Sequence, residues 1–204
     1  MLDAMMRPLI DPPLNALGRV LVRRGLRADW VTLAGLAFGL VAAALIALGW
    51  PGWALLPLVV NRVADGLDGA VARASQKTDF GGYLDIVSDF LFYGSIPLGF
   101  VLLNPALNGA PGAFLLTSFY VNGASFLGYA ILAEKHDMRT DARGAKSLYF
   151  TGGLLEGTET FAFFAAICLW PAWFGALSWG FGGLCLVTAA SRLLLAHRVF
   201  RNRD

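Results

Sequence analysis

The chain has 204 residues, of which 57% are apolar and 15% are charged, and its formal net charge is +2. Soluble domains usually carry about 25% charged residues, so this composition excludes an ordinary soluble protein and indicates an integral membrane protein. Six membrane spans of about 20 residues, with short connections, would occupy nearly the whole length. We therefore predict a single membrane domain over residues 1–204 with no separate soluble domain.

The first predicted element is a short amphipathic helix over residues 11–27. Asp11 is a candidate N-cap, Pro12 suits the first turn of a helix, and apolar residues follow at 14, 17, 20 and 21. Arginines at 19, 23 and 24 could reach lipid headgroups. We interpret the segment as an interfacial helix on the cytoplasmic leaflet, with an ordinary amino-terminal tail as the alternative.

Six predicted spans make up the rest of the domain, a six-helix bundle over residues 28–204. Their approximate ranges are 31–50, 53–74, 82–103, 113–133, 148–170 and 172–196. Basic residues occur at both ends of the chain and in alternate connections, whereas the connections between them carry no charge. The positive-inside tendency therefore places both termini in the cytoplasm. The predicted fold is an all-α integral membrane protein with an amino-terminal interfacial amphipathic helix.

Four aspartates interrupt the second and third spans at helical spacing. Asp65 and Asp68 are three residues apart and Asp85 and Asp89 are four apart, so each pair lies on one helix face. The short connection predicts that the two helices are antiparallel neighbours whose pairs face each other. An ionised aspartate in a span costs at least about 2.5 kcal/mol. One or two Mg²⁺ or Mn²⁺ ions would offset that cost and the mutual repulsion, and these ions commonly bind phosphates as well.

The residues around the aspartates favour a phosphate ligand. Gly69 and Ala72 leave the helix surface bare, and Arg73 offers a cationic fork for phosphate oxygens. Gly81 and Gly82 open the next predicted helix, whose free N–H groups would attract an anion. Asp79, in the polar turn between the helices, is expected to be solvated rather than a ligand.

The segment DGLDGAVAR, followed by GGYLD and IVSD, resembles the signature of the CDP-alcohol phosphotransferase family, whose members are also called CDP-alcohol phosphatidyltransferases. Seven residues separate the arginine from the first glycine of GGYLD, where the family spacer is often eight, so Gly82 is an alternative for that position. The six-span layout with an amphipathic amino-terminal helix also matches the family. All eight marked positions are filled, by Asp65, Asp68, Gly69, Ala72, Arg73, Gly81, Asp85 and Asp89.

The resemblance implies transfer of a phosphatidyl group from a CDP-linked donor, expected to be CDP-diacylglycerol, to an alcohol, with release of CMP. The four aspartates would hold two Mg²⁺ or Mn²⁺ ions. Asp89 would also act as general base toward the acceptor hydroxyl, although ligand and base roles are not separable by sequence. The donor nucleotide and its phosphates would contact Asp68, Gly69, Ala72, Arg73 and Gly81.

Further expectations concern the surroundings of that site. RADWVT resembles a family segment that places Thr32 near the nucleotide, and a helix-cap role for Thr32 is the alternative. We expect membrane phospholipid synthesis in a bacterial-type inner membrane, with the active site on the cytoplasmic side. The resemblance suggests a homodimer, and no nucleic-acid partner is expected.

The acceptor is the least constrained part of the sequence. Arg139, Arg143, Lys146 and Arg192 could bind an acceptor phosphate, but the positive-inside tendency alone also explains each of them and is the favoured explanation. Lys146 is the preferred candidate because the family often has a lysine there. Glycerol 3-phosphate, an inositol phosphate, serine and phosphatidylglycerol all remain open as acceptors.

Two glutamates in the fifth span need polar partners. Glu156 and Glu159 are three residues apart in an apolar stretch, where an ionised carboxylate is costly. They would either line the acceptor pocket or pair with Arg62 or Arg192.

Two other classes of protein compete with the enzyme. A cation transporter would use intramembrane carboxylates to bind its ion, but it has little use for Arg73 beside those ligands. A lipid-binding relative that has lost catalysis would not need to keep all four aspartates.

Overall fold

The computed structural model describes residues 2–136 and 157–201, and every regular element in this part of the chain is helical. The prediction of an all-α protein is therefore confirmed. Seven α-helices and a short 3₁₀ turn, Pro171–Trp173, follow one another along the described residues. The helices are α1 Leu2–Arg23, α2 Ala28–Ala47, α3 Pro51–Ala74, α4 Asp79–Leu103, α5 Pro105–Lys135, α6 Gly157–Leu169 and α7 Phe174–Phe200.

Four of the described helices are long and apolar enough to cross a membrane: α2, α4, α5, and α7 taken with the 3₁₀ turn that precedes it. The helix α3 has 24 residues at the predicted position of the second span, but it carries the charged segment that contains Arg62, Asp65 and Asp68. The helix α6 spans 13 residues, and the first part of its predicted span, 148–156, lies outside the described residues. The count of six spans stays a prediction.

The amino-terminal helix differs from its predicted bounds of 11–27. It begins at Leu2 and continues through Pro8, Pro12 and Pro13. It ends at Arg23 because Gly25 adopts a positive φ of 80°, a left-handed conformation that favours glycine. The amide of Gly25 bonds to the carbonyl of Val22, and the amide of Leu26 bonds to that of Leu21, which is the Schellman arrangement.

The helix α2 packs along both α3 and α4, the two helices that carry the aspartates. The helices α3 and α4 approach each other mainly through side chains, since carboxylate oxygens of Asp65 and of Asp85 lie within 4.8 Å of each other. Gly39 makes room for this arrangement, because a Cβ there would lie 2.6 Å from the Phe92 ring on α4 and 3.1 Å from Nδ2 of Asn61 on α3. The two aspartate pairs therefore face each other at one cavity that is lined by residues of α2, α3 and α4.

The apolar core occupies the end of the bundle away from the aspartates. Ile46 of α2, Leu58 of α3 and Phe100 of α4 are fully buried there, with Phe164 of α6 and Phe174 of α7. The rings of Phe100 and Phe174 stack with centroids 4.6 Å apart. This packing fixes one end of the helices and leaves the polar residues gathered at the other.

Candidate metal and nucleotide site

Three of the four predicted ligands form a compact cluster. One carboxylate oxygen from each of Asp65, Asp85 and Asp89 lies within 4.8 Å of the other two. Asp65 comes from α3 and the other two come from successive turns of α4, and all three are half-buried. Such a set of hard oxygen atoms suits Mg²⁺ or Mn²⁺.

Asp68 lies beside this cluster and is oriented by α2. The Thr32 hydroxyl donates to Oδ2 of Asp68 at 2.7 Å, and the Ala28 carbonyl lies 3.2 Å from the same hydroxyl as an alternative acceptor. Both Thr32 and Asp68 are buried. Thr32 does not cap α2, because that helix begins at Ala28 and its N-cap position is Arg27. Its partner is a predicted metal ligand, which is consistent with a place in the site.

Two polar residues that the sequence analysis missed also line the site. Asn61 donates from Nδ2 to the carbonyl of Gly35 at 2.9 Å, which ties α3 to α2. Ser88, one residue before Asp89, is buried, and its hydroxyl has no hydrogen-bond partner in the structure. Helical spacing offered a signal, because positions 85, 88, 89 and 92 share one face of α4.

The aspartates and these polar residues enclose a cavity of about 20 Å³. A space of roughly 10–15 Å³ is enough for one water molecule, so this cavity is large enough for a water or a small ion. The buried hydroxyl of Ser88 and the carboxylates face that space together. The residues present therefore fit a divalent cation with a bound water or phosphate oxygen.

Arg62 is a cation inside the same site. Its Nη1 forms an ion pair with Oδ2 of Asp65, one turn along α3, and its charge also acts on Asp89. The guanidinium lies beside Gly157, where a Cβ would be 3.3 Å from Nη2. Arg62 thus lies between the aspartates and the first described turn of α6, which also contains Glu159. The spacing of three residues from Asp65 was the available sequence signal.

Arg73 and Gly69 lie at the end of α3, next to α1. The side chain of Arg73 is exposed, and its Nε and Nη2 donate to Oδ1 of Asn15 at 3.3 and 3.0 Å. A Cβ at Gly69 would lie 3.2 Å from Nη1 of Arg73, so the bare backbone there leaves room for the guanidinium. Ala72 is half-buried one residue before Arg73.

The structure distinguishes the two candidate glycines at the start of α4. A Cβ at Gly81 would lie 2.9 Å from Oγ1 of Thr78, whereas nothing lies within 4 Å of the corresponding point at Gly82. Gly81 is therefore the sterically constrained position. The prediction that both glycines offer free N–H groups is wrong, because α4 begins at Asp79 and Thr78 is its N-cap. The amide of Gly81 donates to Oγ1 of Thr78, and that of Gly82 donates to the Thr78 carbonyl.

Of the acceptor candidates, Arg192 and Glu159 lie within the described residues, and Arg139, Arg143, Lys146 and Glu156 lie outside them. Arg192 is buried on α7 and joins this helix to α5. Its Nη1 donates to the carbonyl and Oδ1 of Asn122 at 3.1 Å and to Oγ of Ser125 at 2.6 Å. Its guanidinium carbon lies 5.6 Å from the centre of the Phe126 ring. Glu159 is half-buried in the first described turn of α6.

Comparison with known proteins identifies a family and relatives that match most of this chain. The sequence model of the CDP-alcohol phosphatidyltransferase family matches residues 26–191. The chain is 47% identical over 193 residues to inner membrane protein YnjF of Escherichia coli, which covers 95% of this chain and 94% of that protein. It is 29% identical over 188 residues to phosphatidylinositol phosphate synthase of Mycobacteroides abscessus, which covers 88% of this chain and 81% of the relative.

Solved structures show a similar fold. The phosphatidylinositol phosphate synthase of Mycobacterium tuberculosis with CDP-DAG bound superimposes with a TM-score of 0.65 at 21% sequence identity, over 90% of this chain and 93% of the other. The same enzyme in complex with manganese and citrate gives a TM-score of 0.63, over 88% of this chain and 87% of the other. At this level of identity the likeness is one of fold.

Proposed function

This chain belongs to the CDP-alcohol phosphatidyltransferase family, and from that premise we propose that it transfers a phosphatidyl group from CDP-diacylglycerol to an alcohol and releases CMP. The main support is the cluster of Asp65, Asp85 and Asp89, whose carboxylate oxygens lie within 4.8 Å of one another at the polar end of the bundle. Family membership favours this transferase over a cation transporter. A named relative of similar fold has been solved with CDP-DAG bound, which supports the choice of donor.

The metal site that we propose consists of Asp65, Asp68, Asp85 and Asp89 with one or two Mg²⁺ or Mn²⁺ ions. The structure with manganese of a protein of similar fold supports this assignment. When bound, the ions neutralise the donor pyrophosphate and the charge that develops on departing CMP. Thr32 keeps one oxygen of Asp68 turned toward α2, so that the other oxygen can serve as a ligand.

The reaction that we propose needs one base and one fixed cation from the chain. Asp89 accepts the proton of the acceptor hydroxyl, whose oxygen forms a bond to the phosphorus next to diacylglycerol. The bond from this phosphorus to the bridging oxygen breaks, and CMP leaves with that oxygen. Arg73 binds the nucleotide phosphate by charge-assisted hydrogen bonds, and Gly69, Ala72 and Gly81 leave space for the donor.

The acceptor pocket that we propose lies among α5, α6 and α7. Arg192 and Glu159 would contribute to it with Lys146 and Glu156, which lie outside the described residues. The relative named phosphatidylinositol phosphate synthase supports an acceptor that bears a phosphate. We propose a location in a bacterial inner membrane, because the Escherichia coli relative is named an inner membrane protein. Both termini and the site would face the cytoplasm, and the protein would form a homodimer.

The test is CMP release by the purified protein in detergent or nanodiscs. CDP-diacylglycerol, Mn²⁺ or Mg²⁺ and a panel of acceptors are supplied, and the wild type is expected to release CMP only with metal and one acceptor class. Asp85→Asn should be inactive. Asp79→Asn is the matched control, because Asp79 is exposed in the same region and lies outside the cluster. Absence of CMP with every acceptor, together with no metal-dependent nucleotide binding, would contradict the proposal.

A further inference from the structure

The helix α1 packs directly on the segment of α3 that carries the signature. A Cβ on Gly18 would lie 2.9 Å from the carbonyl carbon of Ala70, so the two backbones touch at this point. One turn earlier, Cδ1 of Leu14 lies 2.7 Å from where a Cβ on Gly66 would be. Small residues on both helices allow this approach. The position of α1 relative to the signature helix is therefore fixed by contact and not only by attachment to a membrane surface.

Asn15 uses this contact to hold the side chain of Arg73. Its single carbonyl oxygen accepts from both Nε and Nη2 of the guanidinium, at 3.3 and 3.0 Å, which fixes the plane of the group. Nη1 points to the side where Gly69 has no side chain. An exposed arginine without such a partner samples many rotamers, whereas this one is held by a neighbouring helix.

The chemistry of the partner matters as much as its position. An amide oxygen orients the guanidinium but leaves its full positive charge, whereas a carboxylate would neutralise that charge and compete with a phosphate. A neutral hydrogen-bond acceptor, such as the amide of Asn15, is thus suited to an arginine that must still bind an anion. Asn15 binds the edge of the guanidinium that is nearest α1. The other edge therefore remains available to a ligand at α3.

We propose that Asn15 is a positioning residue for the donor nucleotide, which it serves by holding Arg73 in the orientation that binds the CDP phosphate. This inference rests on the proposed function, in which Arg73 contacts the donor. It gives α1 a role in the chemistry of the site beyond lying at the membrane surface. The affinity for the nucleotide should therefore depend on a residue about 50 positions before the first aspartate of the signature, in a different helix.

The test is the equilibrium binding of CDP to the full-length protein in the presence of Mn²⁺. Asn15→Leu is expected to weaken CDP binding about tenfold, the order of one charge-assisted hydrogen bond. Asn15→Gln keeps the carbonyl oxygen and should recover part of the loss. Ala16→Leu introduces the same side chain at an exposed neighbouring position and should leave the dissociation constant unchanged.

A double-mutant cycle separates positioning from a general structural effect. If Asn15 acts through Arg73, the variant Asn15→Leu/Arg73→Gln binds CDP no more weakly than Arg73→Gln alone. Independent, additive losses would overturn the inference, as would unchanged binding in Asn15→Leu. If the wild type does not bind CDP, or Arg73→Gln binds it as well as the wild type does, the proposed donor site is wrong. Should Asn15→Leu fold poorly, Asn15→Ala replaces it in the same cycle, with the same expected and contradicting outcomes.

Discussion

Replacing Asp85 by asparagine is expected to stabilise the metal-free protein and to remove most of the stabilisation that a divalent ion provides. Asp85 has a carboxylate oxygen within 4.8 Å of one from Asp65 and one from Asp89. At that distance, with an effective dielectric constant of about 20, two ionised carboxylates repel each other by about 3.5 kcal/mol. The ion pair with Arg62 offsets part of the repulsion that acts on Asp65.

In the metal-free protein, the stability gained by Asp85→Asn is smaller than the sum of the two repulsions, with Asp65 and with Asp89. The three side chains are half-buried, and water and side-chain relaxation reduce such energies to about 1–2 kcal/mol. For a chain of this size, that corresponds to a rise in Tm of about 2–8 °C. A bound metal stabilises the native protein by about 2.7 kcal/mol when its concentration is 100 times the dissociation constant, and Asp85→Asn should lose most of this.

The assay is thermal unfolding of the purified protein in detergent, with EDTA or with increasing Mn²⁺. Asp79→Asn should start slightly below the wild type in EDTA, because Asp79 lies in the first turn of α4. Its Tm should rise with Mn²⁺ as much as that of the wild type, since Asp79 is outside the cluster. Asp85→Asn should have a higher Tm in EDTA than the wild type, and its Tm should rise little with Mn²⁺. A full Mn²⁺ response in Asp85→Asn would mean that the ion binds elsewhere, and a lower Tm in EDTA would mean that repulsion among these carboxylates does not govern stability.

Three further variants test the base, the support of Asp68 and the helix packing. Asp89→Asn should reduce CMP release by about 10²–10⁴-fold while CDP still binds, and full turnover would exclude Asp89 as the base. Thr32→Val removes the hydrogen bond to Asp68 and should weaken Mn²⁺ binding about 5- to 20-fold by calorimetry; equal affinity would show that this bond does not orient the ligand. Gly99→Leu should destabilise the protein by about 1–3 kcal/mol, because a Cβ there would lie 2.7 Å from the Ala43 carbonyl oxygen. Gly94→Leu places the same side chain in open space and should leave the stability unchanged. Similar losses of stability in both variants would refute the packing argument.

The sequence predicted the parts of the structure that depend on local spacing. Helical periodicity placed Asp65 and Asp68 on one face and Asp85 and Asp89 on another, and the structure brings these side chains to one cavity. Apolar runs with turn signals located most helix ends to within a few residues, but α1 begins nine residues before its predicted start and α5 eight residues before its own. Both inferences need only the geometry of a single helix and the cost of burying charge, which are properties of a short segment.

The parts that were missed depend on contacts between distant segments. The partner of Arg73 is Asn15, 58 residues earlier, and no local pattern indicates that pairing. The packing of both α3 and α4 along α2 depends on the close approach at Gly39, which a short connecting turn does not reveal. Thr78 caps α4 and accepts hydrogen bonds from the amides of Gly81 and Gly82, because the helix starts earlier than the apolar pattern does.

The packing of α2 against both carboxylate-bearing helices has a consequence for ion selection. Mg²⁺ binds oxygen at about 2.0–2.1 Å and Ca²⁺ at about 2.3–2.6 Å, so a difference of a few tenths of an ångström decides which ion fits. Here two residues that line the site, Asn61 of α3 and Phe92 of α4, converge on α2 at Gly39, where a Cβ would lie 3.1 Å from Nδ2 of Asn61 and 2.6 Å from the Phe92 ring. A side chain at Gly39 would displace one or both of them, so a helix that supplies no carboxylate contributes to the spacing of the ligands.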